Sequence, residues 1–454
     1  MLPITYGLLL RVVLLTILMG VTTARASTAR LTADAQPVLG WGCFQLRGLE
    51  DQPASTQQMF YDLGMTYVRL ELRPECGNAE GMVDAASMDH LVGQIKLAKR
   101  HGITKYILSI WSPPDGMKLP DKTHLGKSAA GGPEYLNPDY EDRYMKYLTA
   151  AVNYLKAAGC NGPTAISIQN EPDAEPEPWD GCRYVDSPAA VNLWRRVLVK
   201  LRATLNSHGD QNVEIIGPET SKCANATALL SPVETLPLGG IAYHSYDVSQ
   251  TGPLAGIIAS LHKPVWMTEW SDVGQHDDLV ATVDTVRRMN SDLVDMKTNY
   301  WTWWYGWRQW NDFDGEELLI TRDDGTLRST RLYSMFKRLW STVRPGWHVT
   351  PIASVDPDLR GSGAGSGWPQ VEMIAFRDPG HRTAVILVAN PTKSPRTFTF
   401  TGLPSRARTA SIYEWSEADV VPVRSVAVTN GEIADVQLPA YGVQMYVTST
   451  GGRR

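Results

Sequence analysis

The feature that most limits what this chain can become is a repeated alternation. From Val38 to about Val343, eight short apolar runs suited to buried strands are separated by longer segments whose apolar residues recur every three to four positions. The runs are VLGWGCF (38–44), TYVRLEL (66–72), KYILSI (105–110), AISIQ (165–169), EIIG (214–217), IAYHSY (241–246), VWMT (265–268) and YWTWW (300–304). Between them, Met88, Leu91, Ile95 and Ala98 fall on one helix face, and Tyr144, Tyr147, Leu148, Ala151 and Leu155 on another. Eight such repeats predict an α/β fold, a (β/α)8 TIM barrel over 37–345.

After Arg344-Pro345-Gly346 the helical period disappears. The runs VEMIAF, TAVILVA, RTFTF, TASIYEW, VRSVAV and VQMYV predict a smaller antiparallel β-sandwich over 346–450. Thr429-Asn430-Gly431 reads as a tight hairpin turn, and GSGAGSG (361–367) as a flexible loop. Nothing catalytic stands out in this part, so its expected role is accessory.

The first 26 residues read as a secretory signal: Arg11, an apolar run from Val12 to Val21, then Ala24-Arg25-Ala26 as a small-x-small cleavage site. The run is well short of the roughly 20 residues needed to span a bilayer. The mature protein is expected to be secreted, extracellular or periplasmic, and monomeric. The net charge of −5 is spread along the chain, which gives no basic patch for nucleic acid or an anionic membrane. The nine histidines are scattered and the five cysteines form no Cys-x-x-Cys, so neither a metal nor a cofactor is expected.

In a (β/α)8 barrel the reactive groups sit where strands end in their following loops. AISIQNEPD places Asn170 and Glu171 there after the fourth strand, and VWMTEW places Glu269 after the seventh. Either motif alone is a weak signal. Together they predict two carboxyl groups over one mouth, the pairing that glycosidic cleavage needs: one protonates the departing oxygen and the other meets the positive charge growing on the anomeric carbon. Asn170 is suited to a sugar hydroxyl. Tyr246, Arg69 or both are placed to donate to Glu269 and keep it ionised. His244 lies beside them, though a core histidine and a structural ion-pair arginine are the plainer readings of His244 and Arg69.

Five of the fifteen tryptophans fall in YWTWWYGWRQW (300–310). With Trp111 and Trp270, Trp304 is a candidate platform for a sugar ring, although alternate positions of a strand must face the helix layer. Asp115 and Asp173 read as turn residues. Strand order also predicts disulfides Cys43–Cys76 and Cys182–Cys223, with Cys160 free.

ISIQNEPD, the WSPP…MK segment, VWMTEW and the run from DDGTLRSTRLYSMFKRLW to VRPG resemble glycoside hydrolase family 30, of the retaining barrel clan. The resemblance covers most of the mature chain. It implies Glu171 as acid/base, Glu269 as nucleophile, and a β-sandwich drawing a strand from 27–36, near Leu31. The glucuronoxylanase branch has a strand-eight pattern, WWYxRRSYG, whose second arginine and tyrosine hold a glucuronate. This chain keeps that arginine as Arg308 but has Trp307 and Trp310 at the other two positions, and the acidic NDFDGEELL (311–319) would repel an anion. The expected partner is therefore a β-linked polysaccharide or oligosaccharide, a neutral β-1,6-galactan or glucan or xylan. An exo-acting glucosylceramidase-like enzyme and a non-catalytic carbohydrate-binding protein are the alternatives.

Overall fold

The computed structural model describes residues 27–231, 235–247, 251–354, 359–360, 370–416 and 419–450. The predicted signal segment and the GSGAGSG loop lie outside these residues. Eight parallel strands form a closed ring: β1 (Gly40–Phe44), β2 (Tyr67–Glu71), β3 (Tyr106–Ser109), β4 (Ala165–Ser167), β5 (Glu214–Lys222), β6 (Gly240–Asp247), β7 (Val265–Glu269) and β8 (Tyr300–Gln309). Each pairs with its successor, and β8 also pairs with β1, which closes the barrel. No helix among the described residues is long and apolar enough to cross a membrane.

Several helices begin where the sequence supplies a side-chain cap. The Asp84 side chain accepts from Ser87 N–H at the start of Ala85–Arg100, and Ser187 does the same for Ala190 ahead of Pro188–Ser207, whose first residue is proline. Met88, Leu91, Ile95 and Ala98 are buried against the barrel, as are Tyr144, Tyr147, Leu148, Ala151 and Leu155 of Glu141–Ala157.

Strand alternation layers the barrel interior. At its floor the Trp266 and Tyr300 rings stack at 3.5 Å, with Tyr67 edge-on to both. This plug fits because neighbouring strands offer glycine: a Cβ on Gly42 would lie 2.4 Å from the Tyr67 ring, and one on Gly240 2.6 Å from the Trp266 indole nitrogen. Two residues further along β2 comes Arg69, and two beyond that Glu71. The floor is therefore dry and apolar, and charge begins one layer up.

Strand β8 runs to Gln309, beyond the predicted YWTWW. Glu317–Thr321 pairs parallel to it and Leu327–Ser329 folds back on that strand. The acidic NDFDGEELL is thus partly strand, because Leu318, Leu319 and Ile320 are all buried.

Beyond the barrel lie two stacked sheets. One has the order His348–Thr350, Val371–Arg377, Ala384–Asn390, Gly442–Ser449, Thr409–Ser416, Asp419–Ala427. The other has the order Ile352–Ala353, Ser27–Leu31, Arg396–Thr401, Ile433–Leu438. Ser27–Leu31 runs parallel to Arg396–Thr401, so the segment ahead of the barrel is a strand of the second domain. In Ala384–Asn390, Val385, Leu387 and Ala389 join the barrel's core while Ala384, Ile386 and Val388 join the core between the sheets. Burial on both faces explains why this strand is apolar throughout. Asn430 and Gly431 both have positive φ and make the expected tight turn, which links strands of different sheets.

The predicted disulfides are not formed: all five cysteines are buried free thiols. Cys43 lies within β1, where it packs near Gly306, and Cys76 ends the short helix Pro74–Cys76. Cys223 opens the helix Cys223–Leu230, whereas Cys182 is set beside Lys118 and Tyr184. Strand order places these residues in neighbouring segments but does not fix which way each side chain faces.

Candidate active site

Glu171 follows β4 in the left-handed region, with φ 46°, and its N–H donates to the carbonyl of Glu219 at 3.0 Å. Glu269 ends β7. The pairing of β6 with β7 slips between Met267 and Glu269, an irregularity that breaks strict alternation. Thr268 and Glu269 consequently both face the interior, and Trp270 turns outward. That is why Trp270, expected in the mouth, is instead buried in the helix-layer core, edge-on to Trp303 at 5.5 Å.

The two carboxyl groups meet. One oxygen of Glu171, Nδ1 of His244 and one oxygen of Glu269 all lie within 4.8 Å of one another. His244 Nδ1 is 2.9 Å from Glu171 Oε1 and 3.8 Å from Glu269 Oε1. Tyr246 donates its hydroxyl to Glu269 Oε1 at 3.0 Å, and Arg69 donates Nη1 to Oε2 at 2.5 Å. The donors thus converge on Glu269, while Glu171 has His244 and partial access to solvent. Asn170 Oδ1 accepts from Arg69 Nη2 at 2.5 Å, which fixes the amide beside both acids.

Burial pushes the Glu269 carboxyl above the usual range, against the downward pull of His244 and Arg69. Burial disfavours a charged His244, but Glu269 and Glu171 outweigh it and raise the imidazole.

That cavity, about 690 Å³, has Asn170, Glu171, Tyr246, Glu269, Trp111 and Trp304 in its lining. Phe44 stacks on Trp304 at 4.4 Å and Trp304 on Trp111 at 5.9 Å, so three rings form a continuous apolar floor, with the Arg69 guanidinium 4.7 Å from the Trp111 ring centroid. Of the strand-eight tryptophans, Trp301, Trp303 and Trp307 are core, and Trp310 is exposed with Arg308 over its ring.

Arg308 is not free. Its Nη1 lies 2.8 Å from Glu316, 3.1 Å from Glu317 and 3.6 Å from Asp314. Asp173 ties the β4 loop to the end of β5, accepting from the N–H groups of Ser221 and Lys222 and from the Asn225 amide.

Among the described residues, two sets of donors are close enough to hold an ion: Glu171 with His244 and Glu269, and Asp314 with Glu316 and Glu317. In each, an arginine already meets a carboxylate at short range, Arg69 in the first and Arg308 in the second.

One residue at the centre escaped the sequence reading. Glu219, fully buried on β5, lies 3.4 Å from Arg69 Nη2. The EIIG run seemed to stop at Gly217-Pro218, whereas the strand continues to Lys222. A carboxylate two residues past an apparent strand end was the available signal.

No protein-family model matches the chain, and no curated protein matches it in sequence. Solved structures do match in shape. A glycoside hydrolase family 30 subfamily 8 xylanase from Clostridium acetobutylicum aligns with TM-score 0.71 at 19% identity, over 93% of this chain and 99% of that one. SrfJ from Salmonella typhimurium aligns at 0.69 and 17% identity over 93% of each chain. An endo-β-1,6-glucanase aligns at 0.65 and 15% identity, over 93% of this chain and 94% of that one. At such identities the likeness establishes the architecture of barrel plus sandwich.

Proposed function

We propose that the protein is a secreted retaining β-glycoside hydrolase acting on an uncharged polysaccharide. The observation that carries this reading is the approach of Glu171 and Glu269 to within 4.8 Å across an aromatic-floored cavity. Retaining enzymes hold their carboxyl groups about 5–5.5 Å apart, whereas inverting ones need about 6.5–9.5 Å to seat a water. The solved structures of like shape include xylanases and a β-1,6-glucanase, which supports the same class of reaction.

A sugar ring stacks on Trp304 and Trp111, with its anomeric carbon before Glu269 and a hydroxyl at Asn170. The Glu269 carboxylate attacks the anomeric carbon as Glu171 gives its proton to the departing oxygen; the bond to the aglycone breaks and a glycosyl ester of Glu269 forms. Glu171, now ionised, takes a proton from water as its oxygen attacks the same carbon. The ester breaks, Glu269 leaves as carboxylate, and two inversions restore the original configuration. Arg69 and Tyr246 stabilise Glu269 both before attack and as leaving group.

Substrate charge follows from Arg308. Three carboxylates of this chain already surround its guanidinium, so a sugar acid arriving there would meet Glu316 rather than an open arginine. Neutral β-1,6-glucan, β-1,6-galactan and undecorated xylan remain as substrates. Export is supported by the sequence of the first 26 residues. Incubation with these three glycans, with ¹H NMR of the first-formed reducing end, tests the proposal. Release of β-anomer first is expected; α-anomer first would overturn the retaining mechanism.

A further inference from the structure

Arg69 is the hub of the site, yet the groups that aim it have no part in the double displacement. Its Nε donates to Ser109 Oγ at 3.0 Å, and Ser109 Oγ donates in turn to Glu219 Oε1 at 3.2 Å. Glu219 Oε1 is itself 3.4 Å from Arg69 Nη2. Guanidinium, hydroxyl and carboxylate close a small ring on the side of Arg69 away from Glu269, with Arg69, Ser109 and Glu219 all inaccessible to solvent. With this ring in place, Nη1 and Nη2 point at Glu269 Oε2 and Asn170 Oδ1.

The same residue reaches the other acid through its backbone. Glu219 has φ 55°, a left-handed conformation unusual for a side chain that is neither glycine nor asparagine. Its carbonyl accepts from the N–H of Glu171, which is also left-handed. The segment after β4 and the interior of the neighbouring β5 are thus held in an uncommon geometry against each other, an arrangement typical of places where surrounding contacts over-determine the backbone. Burial would raise the Glu219 carboxyl, but Arg69 and His244 outweigh it and keep it below the usual range, so it stays charged.

We propose that Glu219 is a positioning residue that sets both members of the pair: its carboxylate, with Ser109, orients Arg69 toward Glu269 and Asn170, and its carbonyl anchors Glu171. It touches no substrate atom. The inference rests on the hydrolase reading above for its effect on turnover, but not for its effect on Arg69.

The test therefore has two arms on the full-length protein. In the first, kcat and KM are measured on the glycan that the unmodified protein hydrolyses. Glu219→Gln, which keeps shape and loses charge, should lower kcat about 100-fold, with KM within about threefold. Glu219→Asp should recover part of that loss. In the second, the Arg69 Nε–H resonance, assigned by its disappearance in Arg69→Lys, is followed by ¹⁵N NMR. Its solvent exchange should be at least about tenfold faster in Glu219→Gln and in Ser109→Ala, because a guanidinium missing one partner is held less firmly. If Glu219→Gln does not fold, Ser109→Ala decides by both measurements. Unchanged kcat with unchanged Nε–H exchange would overturn the proposal. Failure of the unmodified protein to hydrolyse any glycan would sink the hydrolase reading and leave the NMR arm to judge Glu219.

Discussion

The barrel mouth and the β-sandwich are built from opposite materials. Around Arg69 the interior holds Glu219, Glu269, His244, Ser109 and Asn170, all buried and linked by hydrogen bonds and ion pairs, with Glu219 Oε2 and His244 Nε2 left without a hydrogen-bond partner among the described residues. Between the two sheets the interior is almost wholly apolar, with Met373, Ala375, Ile386, Val388, Phe398, Phe400 and Ile412 packed without a charge. Desolvated charge is costly and worthwhile only where geometry is fixed; apolar burial is favourable almost regardless of partner. The contrast places chemistry in one region and stability in the other. Each variant below should move one of these and spare the other.

The largest effect should come from the acids. Glu269→Gln removes the proposed nucleophile and Glu171→Gln the proposed acid, and losses of about 10²–10⁴-fold in kcat are expected. Melting temperature should hold or rise, since a crowded buried charge is lost. A fall in melting temperature as large as that of a core truncation would erase the distinction between the regions.

The converse is Ile386→Ala, fully buried between the sheets. It should cost about 2–5 kcal/mol of stability by denaturant unfolding. The kcat of the remaining folded molecules should be unchanged. The weak point of this separation is the shared layer: Asn290 donates to Glu372 at 2.7 Å and Trp415 to Ser334 at 2.6 Å across the domain boundary. A loss of kcat in Ile386→Ala would show that this layer transmits to the mouth.

The two regions also differed in how far their sequences disclosed them. Most sandwich strands declared themselves because alternation and burial coincide there; Ile433–Leu438, with polar residues between its apolar ones, went unread, as did the short His348–Thr350 and Ile352–Ala353. In the mouth, period two was a good guide along β2, where Tyr67, Arg69 and Glu71 follow one another inward. It failed on β7, because the irregularity before Glu269 reverses the facing of Trp270 and leaves no mark in composition. Glu219 was hidden by a Gly-Pro pair that usually ends a strand. Arg308 was readable in part: the acidic segment after it predicted repulsion of an anion, but not that Glu316 and Glu317 would grip the arginine itself. Cys160 is free as expected, whereas the other four cysteines were misassigned because strand adjacency says nothing of side-chain direction. Local periodicity therefore reports elements, whereas irregularities at strand ends decide the site.

A subtler variant sharpens the comparison inside the mouth. As the proposed nucleophile, Glu269 must be ionised to attack, and its carboxyl is already raised by burial. Activity should accordingly fall as pH drops through a value above the ordinary 4.5. Tyr246→Phe removes a donor to the anion while leaving Arg69 in place, so the acid limb of kcat/KM should move upward by about one pH unit. A limb that stays put would mean that Tyr246 does not sense the charge on Glu269.

The smallest effect concerns the rim, where function and stability ought to meet. Burial, with Asp314 beside it, pushes the Glu316 carboxyl to about 7 even though Arg308 pulls it down. In the unfolded chain the same group titrates near 4.5. Between those values the folded protein binds the proton more tightly than the unfolded one does, so this group's contribution to stability is present at low pH and is lost as pH rises through about 7. Glu71, across the cavity and also raised to about 7, acts in the same direction. Melting temperature should thus decline between pH 5 and pH 8, and Glu316→Gln should flatten part of that decline without altering the acid limb governed by Glu269. If the slope is unchanged in Glu316→Gln, its carboxylate is as well solvated in the fold as outside it, and the clamp on Arg308 is a surface ion pair of little energetic weight.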